Sequence, residues 1–423
     1  MTHFAFERAM GLLLLVLTVI LSLIMIHSPG TDDVAAFLYW TEVVYQNGLA
    51  AGYSKVIDDP IIGDLHYFYP PLSFAILYIA RAFGNAVALS PLISFKVMIL
   101  TFQLVSAGII LLLSGSYWVA AAFNASLLLS GVGLGYMDVC VAPPLILAFW
   151  AFQSKRNVLG TALFLIACLI KWQPLVLVPF IGIYLFQISD LRSWRDAVGG
   201  LLFWKIVVLV SATIVLLSLL FGLAPERALG YAMKCGFLSG NALNVPWVAD
   251  FFYKFLFSHS FSPQAELGAS TPGSMYLLPF RTIFWIIFGV VLMRTISSEG
   301  SFGNFLLFAI VGFLTYIMWN SGVHENHLFV VVILAYMLML YNHTREHLAI
   351  TVILTAMFNL NLFVFYGITG TQLQSRVVGV DLSIILAVLY AAVWLLLGIY
   401  AWGATQPRKA VETHLPAMAS EPG

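Results

Sequence analysis

The sequence predicts an all-α, polytopic membrane helix bundle of about twelve transmembrane helices with two long outer loops carrying short helices. Three observations predict it. The chain of 423 residues is 61% hydrophobic and 9% charged, against about 25% charged in an average soluble domain. Apolar segments near the length of a span, about 20 residues, recur from end to end. Two polar stretches, 27–70 and 224–275, interrupt them and are long enough to fold locally.

The candidate spans are 9–26, 71–84, 95–114, 116–133, 137–153, 158–170, 173–187, 203–223, 276–293, 303–320, 328–341, 347–366 and 382–403. Arg8 followed by the first apolar run resembles a signal peptide. That run is long for one, and Ile26-His27-Ser28-Pro29 is a poor cleavage site, so it is expected to remain as the first span. Lys and Arg in short loops mark the cytoplasmic side. This puts Arg8, Lys155, Arg156, Arg192, Arg195, Arg294, Arg345, Arg408 and Lys409 inside. The 27–70 stretch has Lys55 as its single basic residue beside Asp32, Asp33, Glu42, Asp58, Asp59 and Asp64, and goes outside. Getting from there to Lys155 takes an odd number of crossings, yet four candidates intervene. Either the short 71–84 piece or the interrupted 116–133 piece is therefore not a crossing. Both termini are then inside, residues 1–405 form one unit, and the proline-bearing tail 406–423 is expected to be disordered in the cytoplasm.

Because Lys155 and Arg192 are both inside, 158–187 is an out-and-back hairpin with Lys171-Trp172-Gln173-Pro174 at its tip. Its first arm reaches only about 20 Å at 1.5 Å per residue, so the tip should lie in a cavity below the outer surface. The 19 basic and 19 acidic residues balance, and no basic run favours nucleic acid. Cys140, Cys168 and Cys235 have no CxxC spacing and read as structural thiols.

Ionisable groups at the edge of hydrocarbon are expensive and each asks for a partner or a function. Here they gather on the outer side. Asp32 and Asp33 follow Pro29-Gly30 and could cap a helix over 34–46. A fixed carboxylate is also what a general base requires, and Asp33 is the candidate for it. Tyr69-Pro70-Pro71 stiffens the chain where it re-enters the membrane, and His66 with its neighbouring tyrosines suits an interfacial anchor. His324-Glu325-Asn326-His327 is one residue short of the HExxH zinc pattern. Its imidazoles read instead as donors to a phosphate or to sugar hydroxyls, with Glu325 fixing a tautomer, or as an interfacial cap. Lys171 has no charged sequence neighbour, so at a buried tip it either snorkels or meets an anion such as phosphate.

In combination these motifs resemble the GT-C superfamily of membrane glycosyltransferases, which use polyprenyl-phosphate-linked sugars. Thr31-Asp32-Asp33-Val34-Ala35 with Phe37-Leu38-Tyr39-Trp40 is similar to the start of that family's acidic loop, and Tyr69-Pro70-Pro71-Leu72 to its end. Gly135-Tyr136-Met137-Asp138 resembles GQxD, with Tyr136 and Met137 departing from it. Lys171-Trp172-Gln173 resembles KxQ, Asn241-Ala242-Leu243-Asn244-Val245-Pro246-Trp247 resembles NAxNxW, and Val323 to His327 resembles VHExH. The similarity covers roughly residues 9–370, in order, and is nearest to polyprenyl- and dolichyl-phosphate mannosyl- and glucosyltransferases. It implies an inverting transfer of a hexose, mannose favoured, to a lipid-linked glycan or another extracytoplasmic acceptor.

By the same resemblance Asp33 is the base, with Asp32 beside it. Lys171, Gln173, His324, Glu325, His327 and Asp138 serve the donor phosphate and sugar, and Tyr69, Asn241, Asn244 and Trp247 the acceptor or its loop. A departing phosphate needs donors where charge develops, and Lys171, His324 and His327 can supply them without a nucleotide. No metal is obligatory, although Asp32, Asp33 and Asp138 are the residues that would hold Mg or Mn. The expected partners are the bilayer, the prenyl-linked donor and a glycan acceptor. The C-terminus carries no KDEL-like signal, which favours a plasma membrane with the site on its extracytoplasmic side. A secondary transporter shares a twelve-helix topology, but its polar groups belong at the midplane between repeated halves, and no internal repeat is visible. A scaffold or lipid flippase would tolerate loss of Asp33.

Overall fold

The structure, a computed structural model, describes residues 3–59, 63–233, 238–257, 277–368, 370, 376–377 and 380–405. The tail 406–423 and Cys235 lie outside them. Eighteen helices are described: α1 His3–Met25, α2 Asp32–Asn47, α3 Leu49–Tyr53, α4 Pro71–Ala86, α5 Pro91–Ser114, α6 Tyr117–Leu127, α7 Ala142–Gln153, α8 Asn157–Ile170 and α9 Val178–Phe186. They continue with α10 Leu191–Gly199, α11 Leu201–Phe221, α12 Ala224–Met233, α13 Val245–Phe257, α14 Leu277–Ser297, α15 Phe302–Trp319, α16 Phe329–Tyr341, α17 Arg345–Tyr366 and α18 Leu382–Ala404. Strands are minimal. β1 Val56–Asp59 pairs antiparallel with β2 Gly63–His66, β3 Ser239–Gly240 pairs parallel with β4 Val323–His324, and β5 Arg376–Val377 pairs antiparallel with β6 Val380–Asp381.

The protein is an all-α polytopic membrane bundle. Among the described residues seven helices are long and apolar enough to cross a bilayer: α1, α5, α11, α14, α15, α17 and α18. An eighth arises if Gln173–Phe186 and α10, which meet at 84°, count as one broken span. Tyr117–Gly133, Met137–Gln153, Asn157–Ile170 and Glu325–Tyr341 are apolar but shorter. Both long polar stretches carry short helices, α2 and α3 in the first, α12 and α13 in the second.

α15 and α16 form the bundle's axis, with Phe308, Phe313, Val331, Ile333 and Leu334 fully buried. α11 stands at the perimeter with no buried residue. Where helices must pack without a hydrophobic driving force, polar side chains join them. Gln103 Nε2 donates to Ser22 Oγ and to Asn124 Oδ1, both at 3.0 Å, and Asn124 Nδ2 donates to Thr18 Oγ1 at 2.9 Å. This network fastens α5 to α1 and α6.

Contacts at the helix ends show how the segments between 71 and 133 run beside α1 and α5. Trp118 Nε1 at the start of α6 donates to the Glu7 carbonyl at 3.0 Å. Gly133, beyond the other end of α6, lies against the Met25 side chain. The 117–133 segment therefore runs the length of α1 in the opposite direction. Near the start of α5, Lys96 reaches the carbonyls of Val132 and Gly133. α5 thus begins at the Gly133 end and finishes where α6 begins. α4 starts beside Tyr69, whose ring packs on Phe37 at 5.3 Å, and Phe37 in turn stacks at 5.8 Å on Phe95 near the start of α5. Further along, Ser94 of α5 donates to the Ala80 carbonyl and lies against Gly84. Both ends of α4 are therefore at the Gly133 end of the bundle. α4 lies along α2 as an amphipathic helix, with Phe74, Leu77 and Ala80 buried and Ile79 and Phe83 exposed.

Single cysteines at Phe68 and Ala88, both exposed positions flanking α4, are expected to react with an impermeant maleimide from the same side of sealed vesicles. A cysteine at Ser154, between α7 and α8, is expected to react from the other side. Opposite labelling of 68 and 88 would make α4 a crossing.

Candidate functional site at one end of the bundle

The site is built where helices stop. After α6 the chain makes a π turn, Leu129–Gly133, in which Gly131 leaves helical geometry at φ −75° and ψ −106°. Such a break strands carbonyls inside the protein, each costly unless satisfied. The buried Lys96 ammonium donates to Val132 O at 2.8 Å and to Gly133 O at 3.0 Å. Gly135 then takes φ +81°, where a Cβ would meet Val34 Cγ2 at 2.5 Å. Glycine alone suits both the angle and the contact. Opposite it, Thr31 N donates to Leu134 O at 3.1 Å. This docks the start of α2 against the break and fixes Asp33 in the first turn of α2, where helix N–H groups favour a carboxylate.

The break also aims Asp138, in the first turn of the 3-10 segment Met137–Val141, at Lys171, the C-cap of α8. Lys171 Nζ meets Asp138 Oδ2 at 2.5 Å, with both side chains about 95% or more buried. Each charge also suits the helix end it occupies, anion at a start and cation at a finish. The ammonium lies 5.6 Å from the centroid of the Tyr69 ring. Tyr69 is half-buried and packs on Phe37 at 5.3 Å. Trp172 Nε1 donates to Phe68 O at 2.9 Å, tying the hairpin tip to the end of the first polar stretch.

The third wall is 323–328. β4 pairs with β3, the 3-10 turn Glu325–Leu328 follows, and α16 begins. His324 is exposed, its ring lying over Gly240, where a Cβ would come within 2.6 Å of Nδ1. Glu325 is buried and accepts from the Tyr136 hydroxyl at 2.5 Å. His327 is buried, shares a hydrogen bond of 3.1 Å with the Tyr316 hydroxyl through Nδ1, and stacks on that ring.

Asp33, half-buried at the centre of these walls, carries the electrostatic consequence. Burial first, and then the Glu325 carboxylate, raise its pKa from 3.8 to about 6, while His324 and Lys171 pull the other way.

Asp33, Asp138, Lys171, His324, Glu325 and Tyr69 thus converge from five separate stretches of chain. Other expectations need correction. Asp32 is exposed, one position round the helix from Asp33. Lys171 is not awaiting an anion: Asp138 is its counter-ion, since an unpaired ammonium there would cost several kcal/mol. Glu325 fixes Tyr136 rather than an imidazole tautomer, and His327 is engaged by Tyr316. Gln173 Oε1 is buried without a hydrogen-bond partner, an acceptor still to be satisfied.

The Asn241–Trp247 run is a docking device. Asn241 Nδ2 donates to the Tyr366 hydroxyl at 2.9 Å, and Asn361 bridges the Asn241 carbonyl and the Leu243 N–H, each at 2.9 Å. Asn244 is fully buried. It donates to Ile317 O at 3.0 Å and accepts from Trp247 N at 2.9 Å, opening α13. Trp247 is fully buried with Nε1 on Ser383 Oγ at 2.9 Å. Asn244 and Trp247 are therefore held among helices rather than presented to a substrate, and half-buried Asn241 is bridged to His324. Among the described residues no three His, Cys, Asp or Glu side chains gather as a metal site. Asp138 in particular is committed to Lys171.

Sequence reasoning missed Lys96 and Tyr136. The signal for Lys96 was present, a lysine inside an otherwise apolar run. For Tyr136 the signal was its departure from the motif, which supplies the hydroxyl that Glu325 accepts.

Removing one partner of the buried pair, by Asp138→Ala or Lys171→Met, is expected to lower stability by about 3–5 kcal/mol. Joint replacement by Asp138→Leu and Lys171→Met should recover most of it, read as thermal unfolding in detergent. A double variant as unstable as either single variant would remove the ion pair from this role. Trp247→Ala is expected to cost about 3–5 kcal/mol by the same measurement, as for a packed indole. No family model matches the sequence, and no curated protein matches it.

Proposed function

We propose that this chain is an inverting membrane hexosyltransferase of the GT-C kind, with a polyprenyl-phosphate-linked sugar, mannose favoured, as donor. The observation that carries the reading is Asp33: a half-buried carboxylate whose pKa is raised to about 6, in a recess shared with Lys171, His324 and Tyr69. A base of that pKa is largely ionised at neutral pH and still basic enough to take a proton as a hydroxyl attacks.

In the proposed step the acceptor oxygen bonds to the anomeric carbon from the face opposite the phosphate. The anomeric C–O bond breaks, and polyprenyl phosphate leaves with the bonding pair. Asp33 takes the hydroxyl proton. His324, exposed in the recess, and the remaining N–H groups of Lys171 meet the charge growing on the leaving phosphate. Gln173 Oε1, buried and unpartnered, suits a sugar hydroxyl. The step routes nothing through a metal, so transfer is expected to survive chelation of Mg and Mn.

The reading takes the four shorter apolar helices and Gln173–Phe186 as crossings beside the seven long ones. This gives twelve, with both termini cytoplasmic and the recess on the extracytoplasmic side of a plasma membrane. A site at one end of the bundle suits a lipid-borne donor better than a solute crossing at the midplane.

The protein reconstituted in liposomes with acceptor membranes and labelled polyprenyl-phosphate-mannose or, separately, -glucose is expected to transfer label from one of them. Asp33→Asn should lower the rate by about 10²- to 10⁴-fold. Transfer that survives in that variant would remove Asp33 as base, and a chain that binds neither donor would turn the reading toward a transporter.

In the wild type kcat/KM should fall about tenfold per pH unit below about 6, as the carboxylate protonates, and level off above it. The sign for stability is opposite. The folded-state pKa lies above the unfolded value, so this group favours the fold most below about 4 and loses that contribution as pH rises through about 6. A flat profile from pH 5 to 8 would contradict the assignment.

A further inference from the structure

The opposite end of the bundle holds a second polar feature that the proposed chemistry does not use. α8 runs from Asn157 to Ile170, so its start lies one helix length, about 20 Å, from the Lys171 recess. There the starts of α8 and α11 enclose an open crevice of about 600 Å³, lined by Lys155, Arg156, Asn157, Leu159, Leu201 and Lys205 among others. None of the three cations makes an ion pair within the described residues. Two of them are held instead by aromatic rings. Lys155 Nζ donates to the Tyr184 hydroxyl at 3.1 Å and lies 5.0 Å from that ring's centroid. The Arg156 guanidinium lies 5.4 Å from the Trp150 centroid. Aromatic contacts fix a cation without neutralising it, so the three basic residues lining the crevice keep their charge without a carboxylate partner.

The rest of the lining is apolar and open to the surroundings: Leu159 is 44% exposed and Leu201 69%. α11 buries no residue along its length, so its apolar surface beside the crevice is uncovered. Asn157 adds a buried side-chain oxygen without a hydrogen-bond partner, an acceptor for a hydroxyl. Basic residues without an ion-pair partner, exposed leucines beside them and an unpartnered acceptor in one crevice together match one kind of molecule. We infer that the crevice between the starts of α8 and α11 binds an anionic glycerophospholipid with a hydroxylated headgroup, its phosphate among Lys155, Arg156 and Lys205 and its acyl chains against Leu159 and Leu201. The volume is in the usual range for a small-molecule site, and basic pockets between membrane helices suit acidic headgroups. The inference stands independently of the chemistry at the other end.

Native mass spectrometry of the full chain in neutral detergent tests it, with phosphatidylglycerol, phosphatidylcholine and inorganic phosphate as separate additions. Phosphatidylglycerol is expected to stay bound in preference to phosphatidylcholine, and phosphate alone should not displace it. The double variant Arg156→Gln, Lys205→Gln should weaken phosphatidylglycerol by about 25-fold, near fivefold per cation, while leaving phosphatidylcholine unchanged. That internal comparison reads the folded molecules only. Arg192→Gln with Arg195→Gln, basic residues of α10 outside the crevice, should change neither lipid. Equal binding of the two lipids, displacement by phosphate alone, or an equal loss in the α10 variant would overturn the inference.

Discussion

The constraint on which the candidate site depends is charge balance in a poorly solvated place. Three carboxylates, Asp33, Asp138 and Glu325, share one end of the bundle with the Lys171 ammonium. In such surroundings each uncompensated charge costs several kcal/mol, so the groups cannot ionise independently. Lys171 and Asp138 settle their cost mutually, Glu325 is met by the Tyr136 hydroxyl, and Asp33 is left holding its proton more tightly than an ordinary aspartate. The raised pKa of Asp33 is thus a property of the whole cluster. Its nearest helper, the start of α2, is too weak an influence to reverse the effect of burial.

That cluster exists because helices are interrupted where it forms. A continuous helix through 117–153 would satisfy its backbone and would present no turn to carry Asp138 toward α8. The protein breaks it instead at Gly131 and Gly135, and Lys96 supplies the hydrogen bonds that the break removes. The same logic recurs at 320–328, where a short strand pairing and a 3-10 turn set His324 and Glu325 before α16 begins. Irregular backbone at this depth is tolerated where protein surrounds it. The Asn241–Trp247 run supports the arrangement from behind, pinning β3 to α15, α17 and α18 so that Gly240 can lie under the His324 ring.

The two ends of the bundle differ in electrostatic character. One gathers carboxylates around the Lys171–Asp138 pair, with Lys96 held on backbone carbonyls, and the other presents Lys155, Arg156 and Lys205 with no carboxylate partner. This asymmetry orients a membrane protein.

The sequence by itself determined the class. Its hydropathy dictates helices that bury in lipid, because no other backbone satisfies itself there. The clustering of Asp33, Asp138, Lys171, His324 and Glu325 was legible from the alternation of basic loops. Tertiary structure decided the rest. Hydropathy counts apolar residues and cannot distinguish a helix that crosses from one that lies along another, so only the Ser94–Ala80 contact shows α4 returning to the end where it began. Spacing cannot say which partner a charge chooses. Lys171 and Asp138 stand 33 residues apart, and Tyr136 and Glu325 stand 189 apart. Those pairings are made by packing, and packing turned His327 and Trp247 into part of the framework around Asp33 and His324.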